Sequence, residues 1–389
     1  MKPYVPEWAV ELIKTLQEKG YSSQQTNAFL YVRYPFIPQR TLRDYTRNVY
    51  AKTYRTKLVG PHFTHQGVIG SSIVPKSFSN KETYYSRMKD LLRSKQHIKL
   101  ANIQDVHIET AQPAVLELVL QVLTAWQPDY IPVMCDVVDN SLFKSAIHGD
   151  SYHDGAISLR PDALSAFGLE GLEGLSGRGA AQIVFEKATL HWVDCLRESV
   201  PNAILPAWLG NHEAWVLRQL HNSPEGSAYF IVNFFKQLKQ RDVLWLEGDA
   251  EQIVYITDAC IGLHGWSIRK GNYGANANNY LNNYPETSVI AGHSHRMETA
   301  WSKPHLSTGG RHFANITGTL GELRPAYRRK DYTQHTLGFS LLEIKSSGNV
   351  GHRVQDVNIY YENGMYFCDV DGQKFATEGE PPVEQNPFE

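Results

Sequence analysis

The sequence predicts an α/β protein with a small helical unit in front of it, and three observations lead there. Beyond Lys95, short apolar runs alternate with helical stretches such as Ala114 to Trp126 and Ile183 to Leu196, as strands laid between helices would. The first 57 residues carry three short helical periodicities instead. The chain has 389 residues, more than one core usually holds, because single cores stop growing near roughly 250 to 300 residues. Hydrophobic residues make up 42% and charged residues 20%, which supplies a packed interior and excludes a disordered composition.

In chain order, Trp8, Leu12 and Leu16, flanked by Val10 and Ile13, space a helix over Trp8 to Lys19 that Gly20 ends. Ser22 with Gln25 forms a capping-box pattern for a second helix through Ala28, Phe29 and Val32, stopped before Pro35. From Gln39 onward Leu42, Tyr45 and Val49 line one face of a third helix, and Arg40, Arg43 and Arg47 line another. Residues 1–57 therefore resemble a helix-turn-helix whose last helix lies in a DNA groove, with those three arginines as the nucleic-acid contacts. The intervening YPFIP is longer and richer in proline than a tight turn, and a three-helix unit with a solvated basic face is the alternative. Residues 58–95 read as a linker or arm, ending in a short helix from Glu82 to Arg93. Residues 96–350 form the main domain, with a Gly-rich insertion from Ser145 to Ala180. Residues 351–389 hold a hairpin signalled by Asn363-Gly364, then an acidic tail from Thr377 expected to be disordered.

The net charge of -2 hides an asymmetry. Residues 1–100 carry 17 Lys and Arg against 6 Asp and Glu, a net +11, and the remainder is -13. A basic front suits a nucleic-acid partner, DNA before RNA, and a homo-oligomer is a further option. No run approaches the ~20 apolar residues of a membrane helix, and MKPYVPEWAVELIK lacks the apolar core and cleavage site of a leader. The four cysteines are scattered, which fits a reducing cytoplasm.

Five apolar runs end in metal-ligand residue types. IKLANIQ runs into Asp105 and His107, YIPVMC into Asp136, AILPAWLG into Asn211 and His212, ACIGL into His264, and SVIAG into His293 and His295. If the runs are strands, these side chains emerge at one sheet edge, where open α/β sheets bind ligands. The i, i+2 spacing of Asp105 with His107 and of His293 with His295 would put both members of each pair on one side of an extended chain. Carboxylate, imidazole and amide oxygen without thiolate suit Mn2+, Fe2+, Zn2+ or Mg2+. Two such ions about 3.5 to 4 Å apart would clamp a phosphate and supply a hydroxide nucleophile for phosphoester hydrolysis.

In order, the motifs are D-x-H, a G-D-x-x-D-like step, G-N-H-E, H-G and G-H-x-H. Any one arises by chance in a chain this long, but the ordered series behind apolar runs does not. Over roughly residues 96–345 the chain resembles a calcineurin-like metallophosphoesterase, nearest the bacterial or phage members beside the DNA-repair exonuclease branch. That resemblance implies a four-layer α/β/β/α sandwich of two mixed sheets. It implies two divalent ions, Mn2+ first, with Asp105, His107 and His295 on one, Asn211, His264 and His293 on the other, and Asp136 bridging. It also implies that His212 acts on the phosphate or the leaving oxygen, with Asp139 orienting it. Three features depart from the family. Cys135 replaces a glycine and would narrow the room beside the ions, Asn140 replaces an arginine of the protein phosphatases, and His148, His153 and Asp154 sit in the insertion as surface residues. His191, His305, His312 and His335 read as hydrogen-bonded or exposed, Arg269 and Lys270 as phosphate contacts or solvated charges, and Asn315 and Thr317 as supports for the ligands.

The function expected is a dinuclear-metal phosphoesterase, foremost a nucleic-acid phosphodiesterase. A phosphomonoesterase or small cyclic-nucleotide phosphodiesterase is the second reading, and a DNA-binding adaptor without activity the third.

Overall fold

A computed structural model describes residues 13–15, 79–138, 165–171, 177–214, 216, 224–246, 252–265, 276–304, 309–321, 323, 335–346 and 352–382. The chain divides into two compact units, residues 1–72 and 73–389. In the first, residues 13–15 are helical and Ile13 is buried. Arg40, Arg43 and Arg47 lie outside the described residues.

The second unit begins with α1 (Lys81–Ser94) and β1 (His97–Asn102), then α2 (Pro113–Trp126), α3 (Gly177–Ser199), β2 (Leu205–Ala207), α4 (Pro224–Gln240) and β3 (Val243–Trp245). There follow β4 (Val254–Thr257), β5 (Cys260–Gly262), α5 (Ala277–Asn283), β6 (Ser288–Ala291), β7 (Glu298–Trp301), β8 (Phe313–Ile316) and β9 (Gly338–Lys345). The chain closes with β10 (Arg353–Asn358), β11 (Tyr360–Glu362), β12 (Met365–Val370) and β13 (Gln373–Glu378).

Two sheets carry the architecture. β10, β9 and β1 pair antiparallel, and residues 129–133 continue that sheet by parallel bridges from Leu100 to Tyr130, Tyr130 to Ile204 and Val133 to Ala207, which reach β2 and then β3. The other sheet has the order β4-β5-β6-β8-β7, with β5, β6 and β8 parallel. Alternation along the strands sorts side chains into three apolar layers. Leu100, Leu342, Ile290 and Phe313 meet between the sheets. Ala101, Ile103 and Leu341 face α2, α3 and α4 on one outer side. Val289, Ala291, Ala314 and Ile316 face Ala277 and Tyr280 of α5 on the other. The result is the expected α/β/β/α sandwich of mixed sheets.

The sequence explains the helices locally. α2 starts on Pro113 and ends at Gln127, whose left-handed backbone lets its N–H reach the Leu123 carbonyl. Its Val115, Leu118, Val119, Val122 and Leu123 recur at helical spacing and are fully buried, each worth about 1.5 to 3 kcal/mol of transfer free energy. α1 buries Tyr84 and Met88 and bridges the two sheets at one edge. The Asn80 N–H donates to the Trp245 carbonyl, and the Tyr84 hydroxyl to that of Tyr255.

Beyond residue 350 the chain adds β10 to the first sheet, and β11, β12 and β13 form a separate antiparallel sheet against α2. Asn363 and Gly364 both take positive φ, 53° and 80°, as the hairpin signal requires. The expected disordered tail is corrected at its start: Thr377 and Glu378 belong to β13 and pair with β12, and Thr377 is buried. Among the described residues no helix is long and apolar enough to cross a membrane.

Candidate metal centre

The C-terminal ends of β1, residues 129–133, β2, β5 and β6 open on one edge, and each delivers a residue of the expected series. Asp105, His107 and His295 form one group whose ligand atoms lie within 4.8 Å of one another, and Asp136, His264 and His293 form a second. His107 Nε2 and His295 Nε2 are 3.1 Å apart, and His264 Nε2 is 2.9 Å from Asn211 Oδ1. The His293 N–H donates to Asp105 Oδ2 at 2.6 Å, which joins the groups across the two sheets. All seven expected metal ligands therefore meet at one place.

The local geometry differs from the pleat expected for Asp105-Val106-His107. β1 has ended at Asn102, and Asp105 and His107 take positive φ of 54° and 45°. Asp136, His293 and His295 do the same at 58°, 69° and 56°. Left-handed backbone costs a non-glycine residue about 1 to 2 kcal/mol, and Asp and His tolerate it better than most. Such strain collects where surrounding structure holds side chains for a task. Here the backbone bonds from Asp105 N–H to the Cys135 carbonyl and from His107 N–H to the Asp136 carbonyl hold the turns.

Electrostatics point the same way. Asp105 and Asp136 are buried, and in each one oxygen is satisfied while the other is not. Asp105 Oδ2 accepts from His293 N–H, and Asp136 Oδ1 from His212 N–H at 2.9 Å. Asp105 Oδ1 and Asp136 Oδ2 have no hydrogen-bond partner. Ring nitrogens face them instead, His295 Nε2 at 3.4 Å from the first, His264 Nε2 at 3.0 Å and His212 Nε2 at 3.6 Å from the second. Burial by itself would raise both carboxyls, yet His295 beside Asp105, and His212 and His264 beside Asp136, hold them below the usual range. Burial, reinforced by His264, pushes the His293 imidazole down to about 3, and Asp136 raises His264 against its burial. Buried, ionised carboxylate oxygens without a donor, surrounded by imidazole nitrogens, are the donor set a divalent cation takes.

Two supports were not legible beforehand. Glu213, the last residue of G-N-H-E, is buried and accepts three backbone N–H groups, those of Asp136, Val137 and Gly210. His335, read from the sequence as hydrogen-bonded or exposed and not as a ligand, stands edge-on to His295 with ring centroids 4.6 Å apart. The four-residue motif could have flagged Glu213, whereas nothing around His335 distinguishes it. The Cys135 thiol packs in the core between the sheets near the Trp208 carbonyl. The His212 ring lies against His107 at 5.1 Å. Its expected partner Asp139 lies outside the described residues, as do Asn140, His148, His153, Asp154, Arg269, Lys270 and His305. His191 and His312 stand apart from both groups.

No family model and no curated protein matches this chain. Similar solved structures include Vps29 from Entamoeba histolytica complexed with Zn2+, 12% identical over 72% of this chain and 97% of that one, TM-score 0.30. Vps29 from Chaetomium thermophilum is 10% identical over 73% and 100%, TM-score 0.34. A conserved protein from Streptococcus pneumoniae, described as a predicted phosphoesterase, is 11% identical over 73% and 99%, TM-score 0.24. At these values the likeness carries no functional weight, and the chemistry has to come from the residues of this chain.

Proposed function

We propose that the second unit is a metal-dependent phosphoesterase, and the observation that carries the reading is the pair of donorless aspartate oxygens set among five histidines and Asn211. Asp105, His107 and His295 would hold one divalent cation, and Asp136, His264, His293 and Asn211 the other, with Asp136 the residue to be shared. Two such ions would neutralise a phosphate and make a water acidic enough to attack it near pH 7. Mn2+ remains first in order.

The chain's own groups do the rest. His212 is held by its N–H on Asp136 Oδ1, which keeps its imidazole inside the site to give a proton to the departing ester oxygen. Glu213 fixes the turn that carries Asp136.

The substrate class proposed is a nucleic-acid phosphodiester, because residues 1–100 carry a net +11 that would meet the phosphate backbone. The test is hydrolysis of single- and double-stranded DNA, RNA and aryl phosphate mono- and diesters with and without Mn2+. Activity on any of them should vanish in Asp136→Asn and His212→Ala. Turnover surviving both changes removes the mechanism. Preference for an aryl ester that is unchanged by deleting residues 1–57 removes the nucleic-acid reading alone.

A further inference from the structure

The core between the sheets changes character at the edge nearest the ligands. Two positions farther from the ligands it is apolar, with Leu100, Leu342 and Val354 in register across β1, β9 and β10, and Phe313 of β8 buried opposite them. The next row on the same faces is polar. Asn102, Ser340 and Asp356 are aligned across the first sheet, and Asn315 and Thr299 across the second. Asn102, Ser340 and Asn315 are fully buried.

The two rows are hydrogen-bonded to each other. Asn102 Nδ2 donates to Asn315 Oδ1 at 2.9 Å and to the Ala291 carbonyl at 3.2 Å. Asn315 Nδ2 faces Thr299 Oγ1, Ser340 Oγ and Asp356 Oδ1 at 2.9 to 3.0 Å. The Ser340 and Thr299 hydroxyls donate to the Asp356 carboxylate, and the Thr317 hydroxyl to the Asn102 carbonyl. Asn102 lies three residues before Asp105, and Ala291 two before His293.

Such a layer brings little net stability, because apolar side chains of similar size would fill the same space at least as well. What it adds is register. Apolar sheet faces can slide against each other with small loss, but this row has one pairing. We infer that the Asn102–Asn315 layer is the positioning device of the metal centre, setting the separation between the ligands of the first sheet, Asp105 and His107, and those of the second, His293 and His295. The inference rests on the metal reading above. Asn102 and Asn315 are positioning residues and touch no substrate.

The experiment compares the full chain with Asn102→Leu/Asn315→Leu and with Thr299→Val, which removes one hydroxyl at almost constant shape. Mn2+ alone is the probe, followed by calorimetry for stoichiometry and affinity and by electron paramagnetic resonance for spin coupling between neighbouring ions. The wild type should bind two coupled ions. The double variant should stay folded by circular dichroism and melting, yet lose the coupled signal and bind the second ion about tenfold to a hundredfold more weakly. Thr299→Val should shift both in the same direction by less, and it decides the matter if the double variant does not fold. Coupling and affinities unchanged in folded variants overturn the positioning role and leave the metal reading intact. A wild type without two coupled ions overturns the metal reading, and the inference with it.

Discussion

Glu213 grips the backbone of Asp136: its carboxylate accepts the Asp136 N–H at 3.0 Å and the Val137 N–H at 2.7 Å, and it takes the Gly210 N–H as well. Burial, then the Asp136 charge, pushes the Glu213 carboxyl up, while the backbone donors favour its ionised form. In Glu213→Gln one acceptor becomes an amide N–H that opposes those donors. Leaving a buried donor unsatisfied costs about 1 to 3 kcal/mol, so urea denaturation should show a loss of roughly 2 to 4 kcal/mol. Turnover should fall with it because Asp136 moves. Stability within 0.5 kcal/mol of wild type, about the scatter of a neutral surface change, would contradict the grip.

Gly292 sits where a side chain cannot. A Cβ there would lie 2.5 Å from Asp105 Oδ2 and 2.7 Å from Gln104 Cβ. Gly292→Ala should displace the Asp105 carboxylate and weaken Mn2+ binding by about tenfold or more, by the measure of changes beside metal ligands. Calorimetric titration checks it, and unchanged affinity would mean that Asp105 is not a ligand. Gly210 is under the same constraint, since its Cβ would overlap Asp136 Oδ1.

Ion binding should also be visible as stability. A ligand that binds only the folded state adds about 2.7 kcal/mol at a hundredfold excess over its Kd. Mn2+ at that excess should raise the unfolding free energy by about this amount, and chelation should reverse it. His295→Ala and His264→Ala each remove a ligand from a different group and should each reduce the increment. An increment that survives in both variants would place the ion elsewhere.

The convergence of the candidate ligands was legible because each member ends an apolar run, and runs that become strands of one sandwich must end at its edges. The reason the pairs share a side was not legible. Pleat alternation suggested it, but the four residues take left-handed turns instead, held by backbone bonds at Asp105, His107 and His295 and by the Asp105 carboxylate at the His293 N–H. Asn363-Gly364 was readable because its chemistry is local. Asn315 was read as a support for the ligands, but its bond to Asn102, 213 residues away, leaves no local trace in either strand. The contacts of Glu213 with Asp136 and of His335 with His295 are hidden for the same cause, since the partners come from other elements.

Acid should weaken the second unit through His352, away from the metal centre. Its Nδ1 accepts the Lys345 N–H at 3.2 Å, its Nε2 is buried without a partner, and its ring abuts Phe313. Burial, then His312, His97 and Lys345, push the imidazole down to about 4 from its ordinary 6.5. With the folded value below the unfolded one, the unfolded chain takes the proton first. The stabilisation is therefore complete above about pH 6.5 and is lost as the pH falls towards 4. The whole shift corresponds to about 3 kcal/mol, but the ring is partly exposed, and screening reduces the expected effect to about 1 to 2 kcal/mol. His352→Asn keeps an acceptor for the Lys345 N–H and removes the titration. Unfolding free energies at pH 7 and pH 4.5 should therefore differ less in the variant than in wild type by about 1 kcal/mol. Equal pH dependence in the two proteins would show that His352 is protonated in the fold without penalty.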